Sequence, residues 1–240
     1  MVRFINGKIV SAARNGKLTV LNEELEVLKT FRYETERSIL TLTGNEKYIA
    51  YGDYNGTVRY YNRIDDTAPR VSGFFDTDYY LQVYYHETYI RSIDIENEVL
   101  ISGSRDSKIQ AWNLSTSSQL FEVQLEQYDG REYGRVLCLK VVDRKFILCW
   151  YNTVRILDLK DGKFLHQIRL PDWCRNFDLN SQKTLLAVAH DEGVSIWNFS
   201  NLVKISETEL KSVFDVRFNK AGTRLIVGQK DGQISKIDLY

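Results

Sequence analysis

Short runs of alternating apolar and polar residues recur along the chain and are separated by polar turns. Six segments share one plan, namely an apolar strand, a turn rich in Asn, Asp or Gly, and a second alternating strand. They are residues 9–22, 48–62, 99–113, 146–158, 185–198 and 225–238. The apolar spacing of three and four residues that marks a helix is missing from these segments. The pattern therefore predicts six β-hairpins.

The hairpins recur with a period that is typical of one repeat architecture. Their last polar residues are Asn22, Asn62, Asn113, Asp158, Asn198 and Asp238, spaced by 40, 51, 45, 40 and 40 residues. Further short strands precede hairpins at 90–95, 136–139, 177–179 and 213–218, and more polar strands follow at 120–123 and 164–168. Four strands in a unit of 40 to 45 residues make one blade of a β-propeller.

We therefore predict an all-β fold in one domain, residues 1–240, with six visible blades. The units run roughly over residues 1–33, 34–85, 86–125, 126–169, 170–208 and 209–240. The sixth unit has no evident outer strand, which leaves an open sheet edge. Upstream residues could be missing, the last blade could have three strands, or a partner chain could supply the fourth. We favour the first explanation.

Charge and composition narrow the class of partner. Lys plus Arg number 32 and Asp plus Glu number 32, so no net charge draws the chain towards nucleic acid or anionic lipid. No signal peptide and no long apolar run is visible. Three cysteines without a CxxC spacing do not suggest a disulfide framework. We expect an intracellular protein with neither nucleic-acid nor membrane partners.

Residues with catalytic or metal-binding potential are sparse. Only three histidines occur, His86, His166 and His190, and none stands at metal-ligand spacing from a Cys or another His. The chain has no GxSxG, no GxxxxGK and no GxGxxG motif. We therefore expect no enzymatic activity, no small-molecule substrate, no cofactor and no metal site.

The third unit carries the clearest family resemblance. It reads HETYIRSIDI from residue 86, VLISGSRD from residue 99 and IQAWN from residue 109. In these motifs it resembles the WD-repeat family of β-propellers. The resemblance implies a hydrogen-bonded tetrad of His86, Ser102, Asp106 and Trp112, a structural network that stiffens a blade. It covers nearly the whole chain and is strongest in units three, five and six.

Cations recur at corresponding positions of several units. One series, Arg37, Arg91, Arg135 and Arg175, stands at the start of the inner strand, and a second, Arg14, Arg105, His190 and Lys230, precedes the turn acid or its equivalent. Tyr89, Tyr133 and Trp173 lie two residues before three of the arginines. In the geometry that the resemblance implies, both series lie near the top rim. Strand-end cations that pair with local acids are the simpler alternative.

Arranged guanidinium groups bind phosphate or carboxylate groups through paired hydrogen bonds. The third unit also looks like the propellers of F-box/WD-repeat proteins, which bind phosphorylated degrons for ubiquitin ligases. That resemblance implies phosphate contacts from Arg91 and Arg105, with Arg135 and Arg175 as neighbours. No F-box segment precedes the propeller here. We expect a protein partner, and specifically a phosphorylated or acidic peptide.

Two other functions stay open. The chain could be a general scaffold subunit that binds through blade edges and through residues 63–85, whose acids and aromatics could form a contact surface or a solvated loop. Tyr89, Tyr133 and Trp173 could form an aromatic cage for methyl-lysine, although the adjacent arginines would repel a cationic ligand.

Overall fold

A computed structural model describes residues 1–32, 38–62, 80–126 and 136–239. Within them, strands form six antiparallel sheets, numbered here in chain order. The first holds β1 (Val2–Ile5), β2 (Lys8–Ala12), β3 (Lys17–Leu21) and β4 (Val27–Arg32), and the second holds β5 (Ile39–Gly44), β6 (Tyr48–Asp53), β7 (Thr57–Asn62) and β8 (Tyr80–Tyr85). The third holds β9 (Ile90–Glu96), β10 (Val99–Ser104), β11 (Lys108–Asn113) and β12 (Ser118–Gln124).

The remaining sheets follow the same order. The fourth holds β13 (Val136–Val142), β14 (Lys145–Trp150), β15 (Thr153–Asp158) and β16 (Phe164–Arg169), and the fifth holds β17 (Cys174–Leu179), β18 (Leu185–His190), β19 (Gly193–Asn198) and β20 (Lys204–Glu209). The sixth holds β21 (Val213–Phe218), β22 (Arg224–Gln229) and β23 (Ile234–Asp238). The six hairpins and the three-stranded last sheet are confirmed. No helix in the described ranges has the length and apolarity needed to span a membrane.

The chain divides into two compact units. The first consists of Met1–Phe146 with Leu159–Gly162, and the second of Ile147–Asp158 with Lys163–Tyr240. In the first unit, one core cluster joins apolar residues of the first and second sheets, and another joins the second and third sheets. In the second unit, a cluster that includes Val194, Val216 and Val227 joins the fifth and sixth sheets. Apolar faces of successive sheets therefore pack on each other within each unit.

Acidic side chains on inner strands accept hydrogen bonds from neighbouring sheets. The Asp94 carboxylate, on β9, accepts hydrogen bonds from the backbone N–H of Val141 at 2.8 Å and from the Thr43 hydroxyl at 3.0 Å. Burial raises the pKa of Asp94, and these hydrogen bonds partly oppose that effect. In the second unit, Asp178 on β17 accepts the backbone N–H of Phe218 at 3.0 Å. Polar contacts thus accompany apolar packing between inner strands.

A β-bulge recurs where the inner strand meets the second strand. The pairing register shifts there in the second, third, fifth and sixth sheets, and each shift leaves one inner-strand residue without a pairing partner on the second strand. These residues are Leu40, Arg91, Arg175 and Phe214. Because a bulge changes the direction of its side chain, this position can present a residue away from the regular ladder.

Two cysteines are paired, which differs from the expectation for the sequence. Cys149 is the penultimate residue of β14, and Cys174 is the first residue of β17. Both side chains are fully buried, and a disulfide joins them across a Cα–Cα distance of 5.6 Å. The two cysteines are 25 residues apart in the sequence, and only the folding of successive sheets brings the two strand ends together. The pairing was therefore not predicted from the sequence. The intracellular location stays a prediction.

We expect Gly103→Ala to destabilise the protein. A Cβ at Gly103 would lie 2.5 Å from Cγ1 of Val136, so the alanine would overpack the junction between β10 and β13. The free energy of unfolding should fall by about 1–3 kcal/mol in urea unfolding. Gly228 has the corresponding strand position in the sixth sheet, but a Cβ there meets only Asp215 Cβ, at 3.9 Å. Gly228→Ala should therefore be neutral or slightly stabilising, and equal losses in both variants would contradict this packing.

Thiol counting tests the disulfide. In denaturant without a reductant, one cysteine of the three should react with a thiol reagent, and all three should react after reduction. Peptide mapping should then find Cys149 linked to Cys174. Three reactive thiols in protein purified without a reductant would show that the bond is absent.

Candidate functional site

The structure brings three members of the predicted tetrad together. His86 precedes β9, Ser102 lies on β10, and Asp106 lies in the turn between β10 and β11. The imidazole Nε2 of His86 is 2.7 Å from the Ser102 hydroxyl, and its Nδ1 is 3.9 Å from the Asp106 carboxylate. Trp112 packs against the core cluster between the second and third sheets. Its role in the network stays a prediction.

The Asp106 carboxylate is held by several donors. One oxygen accepts the backbone N–H of Lys108 at 2.9 Å and the Ser104 hydroxyl. Burial acts to raise the pKa of Asp106, but the nearby His86 imidazole and the hydrogen bonds from Ser104 and the Lys108 backbone outweigh it and hold that pKa below its ordinary value. This buried carboxylate closes the turn between β10 and β11 through its Oδ1 atom.

Only two residues of the first predicted rim series, Arg91 and Arg175, lie among the described residues. Arg91 is exposed at the bulge of the third sheet, and Arg175 is half-buried at the bulge of the fifth. Arg37 and Arg135 lie outside the described residues, as does Tyr133. In the second sheet the bulge residue is Leu40.

The second series occupies the first position of the turn after the second strand. Arg14, Arg105 and Lys230 have that position in the first, third and sixth sheets. His190 does not, because it is the last residue of β18, pairs with Cys174 and is only 1% exposed. The fifth sheet has Asp191 at the turn position instead. The prediction put His190 at this position and Asp191 after it, because the turn of the fifth sheet is one residue shorter than that of the third.

Aromatic rings flank the cations at the edge of the third sheet. The Arg105 guanidinium lies over the Tyr89 ring at 5.5 Å, and the backbone N–H of Arg105 donates to the Tyr89 carbonyl at 3.3 Å. Tyr89 stacks on Tyr54 with ring centroids 5.4 Å apart. Tyr54 has the turn position of the second sheet and was not among the residues predicted for the rim. Arg91 is exposed at the same end of the third sheet and has no ion pair among the described residues.

The cations of the second unit have a different environment. The Arg175 guanidinium makes a two-pronged contact with Asp191, with Nε 2.6 Å from Oδ1 and a terminal nitrogen bound to Oδ2. Lys230 Nζ lies 3.2 Å from the same Oδ1. The Arg175 contact, followed by that of Lys230, holds the pKa of Asp191 below its ordinary range despite partial burial. Trp173 is 36% exposed and lies against Tyr151.

Comparisons with known proteins found relatives by sequence and similar solved structures. No family model matches the chain. Over 112 residues, 42% of its length, the chain is 27% identical to cell division control protein 4 of Candida albicans, covering 15% of that protein. Over 161 residues, 62% of its length, it is 26% identical to an F-box/WD-40 repeat-containing protein of Arabidopsis thaliana, covering 30% of it. The chain thus spans less than a third of either relative.

A solved structure resembles the whole chain. A chain in the crystal structure of a mitotic checkpoint complex superposes with a TM-score of 0.80 and 14% identity, over 100% of this chain and 74% of the other. Identity this low speaks for the fold alone. With the six antiparallel sheets, the three likenesses confirm the WD-repeat β-propeller fold class and the resemblance to F-box/WD-repeat proteins. They support a protein-interaction platform. Among the described residues, no cluster of His, Cys, Asp and Glu could hold a metal ion.

Removing the Asp106 charge should change stability in a pH-dependent way. Because its pKa is lower in the folded chain than in the unfolded one, the carboxylate stabilises the fold above the ordinary carboxyl pKa, and this contribution is lost as pH falls through the folded pKa. We expect Asp106→Asn to cost about 1–3 kcal/mol at pH 7. The difference from wild type should narrow below about pH 4.

The matched control for Asp106 is Asp231. It caps the corresponding turn of the sixth sheet by accepting the backbone N–H of Gln233 at 3.0 Å, but it is exposed. Asp231→Asn should change the free energy of unfolding by no more than about 0.5 kcal/mol at any pH. A pH-independent cost for Asp106→Asn would contradict the assigned role of the charge.

Proposed function

We propose that this chain is a non-catalytic recognition platform that binds an acidic or phosphorylated peptide at the edge of the third sheet. Arg91 and Arg105 supply the cations, and Tyr89 supplies the adjoining aromatic surface. The observation that carries the proposal is Arg91, which stands at the bulge of the third sheet, is exposed, and has no carboxylate partner among the described residues. The resemblance to F-box/WD-repeat proteins implies that the peptide would belong to a protein selected for ubiquitination.

The electrostatics of this edge favour an anionic ligand. Guanidinium groups match phosphate and carboxylate oxygens with two parallel N–H donors, and hydrogen bonds to charged groups contribute about 1.5–3 kcal/mol each. Arg105 is held in place by the Tyr89 ring, so less side-chain freedom is lost when a ligand binds. The chain as a whole is neutral, so attraction is local to this edge.

A second function, a scaffold that binds through sheet edges, has its own supporting observation. Outer strands carry large exposed apolar side chains, namely Leu120 at 42%, Phe164 at 55% and Ile205 at 52% exposure. Such residues on edge strands favour contact with another protein. The predicted contact segment, residues 63–85, lies mostly outside the described residues.

The recognition proposal predicts a defined pattern of losses. Affinity for immobilised acidic and phosphorylated peptides should fall at least about tenfold in Arg91→Ala and in Arg105→Ala, because each removes one charge-assisted contact. Arg91→Lys should recover part of the loss, since it keeps the charge without the paired donors. Fluorescence anisotropy with the best-binding peptide would measure both effects.

Arg144 provides the matched control. It is exposed in the turn between β13 and β14, and the β13 contacts with β9 place that turn at the opposite end from Arg91. Arg144→Ala should leave peptide affinity unchanged while altering net charge equally. Peptide binding that survives both Arg91→Ala and Arg105→Ala would refute the proposal; loss on Phe164→Ser or Ile205→Ser instead would point to the scaffold function.

A further inference from the structure

The turn position after the second strand has one acid among the described sheets. Arg14, Tyr54, Arg105, Tyr151, Asp191 and Lys230 stand there in the first to sixth sheets. The position that elsewhere presents a cation or an aromatic ring therefore presents a carboxylate in the fifth sheet. This carboxylate faces two cations of the predicted rim, Arg175 and Lys230.

The Asp191 carboxylate occupies the donors that an anionic ligand would need. It binds Nε and one terminal nitrogen on the same edge of the Arg175 guanidinium, which is the arrangement that a phosphate monoester or a ligand carboxylate would form. The same oxygen that faces Nε also receives the Lys230 ammonium group at 3.2 Å. A ligand anion at this place would have to displace Asp191 and would then be repelled by it.

We propose that Asp191 is a specificity-determining residue that closes the Arg175–Lys230 position to phosphate groups. The inference deepens the proposed function, because it says which rim cations a phosphorylated peptide reaches. Arg175 and Lys230 are internally neutralised in large part, whereas Arg91 in the third sheet is open. The chain then binds a phosphate group at the third sheet and excludes one from the edge formed by Arg175 and Lys230.

The exclusion follows from charge and geometry together. Arg175, Lys230 and Asp191 carry a net charge of one positive unit, and without the carboxylate they would carry two on adjacent donors. Asparagine is tolerated in turns and keeps the size of the side chain, so Asp191→Asn removes the charge without changing the turn. The turn is also held by the backbone carbonyl of Asp191, which accepts the Ser212 N–H at 3.0 Å, and this bond does not depend on the side chain.

Trp173 gives a local signal for the experiment. Its ring lies 5.9 Å from the Arg175 guanidinium and is partly exposed, so an anion at Arg175 should shift its indole N–H resonance. Inorganic phosphate would be titrated at constant ionic strength into wild type and Asp191→Asn, with the resonance assigned from Trp173→Phe. We expect Asp191→Asn to bind phosphate at least about tenfold more tightly at this signal. Adding Arg175→Ala to Asp191→Asn should abolish the gain.

Asp238→Asn is the matched control. Asp238 also receives an arginine and a lysine, Arg224 at 2.6 Å and Lys236 at 3.0 Å, and it lies at the opposite end of the sixth sheet from Lys230. Its neutralisation adds the same charge to the protein but should not make the Trp173 signal respond to phosphate. A response of equal size would mean that net charge, and not the Asp191 contact, controls binding.

The outcomes separate this inference from the proposed function. Wild type that binds phosphate at the Trp173 signal as tightly as Asp191→Asn overturns the inference, as does a folded Asp191→Asn variant without tighter binding. Thermal unfolding would verify the fold, and Asp191→Ala would replace a variant that fails to fold. Wild type that binds no acidic peptide, combined with a phosphate gain in Asp191→Asn, would refute the proposed function and leave the inference in place.

Discussion

The packing of each sheet's apolar face on the next is the constraint on which the other features depend. It places glycine in the second strand of the second and third sheets, where the inner strand of the following sheet approaches to within contact of Gly52 and Gly103. It also brings inner strands close enough for Asp94 and Asp178 to accept backbone N–H groups from their neighbours. Bulges and turns are positioned at sheet ends by this stacking, and the candidate binding residues stand on them.

Local charge pairing, and not the number of cations, distinguishes the two candidate edges. Arg105 lies over a tyrosine ring and Arg91 is exposed in the third sheet, whereas Arg175 and Lys230 share one carboxylate. A basic sequence position is therefore only a potential anion site. A carboxylate at the neighbouring turn, such as that of Asp191, pairs with cations within the chain and takes donors that an anionic ligand would use.

The hairpins, the four-stranded repeat and the short last sheet were predictable from the sequence, because alternation and turn residues act locally. Arg91 and the contacts among His86, Ser102 and Asp106 followed from the best-matched unit. The sequence did not reveal the Tyr54–Tyr89 stack, the Cys149–Cys174 bond or the Asp191 contacts, since each joins residues of different sheets or depends on turn length. The turn of the fifth sheet is one residue shorter than that of the third, so His190 is buried at the end of β18 and not at the predicted rim position.

The inner-strand acids have a consequence for how such a chain gains or loses repeats. Asp94 is half-buried and accepts hydrogen bonds from strands of both flanking sheets, so its charge is accommodated only while both neighbours are present. Excising the repeat on either side would leave a carboxylate with too few donors in an apolar environment. Stability in this chain is therefore coupled between nearest neighbours, and duplication or deletion would be tolerated only in whole units whose junctions restore the same donors.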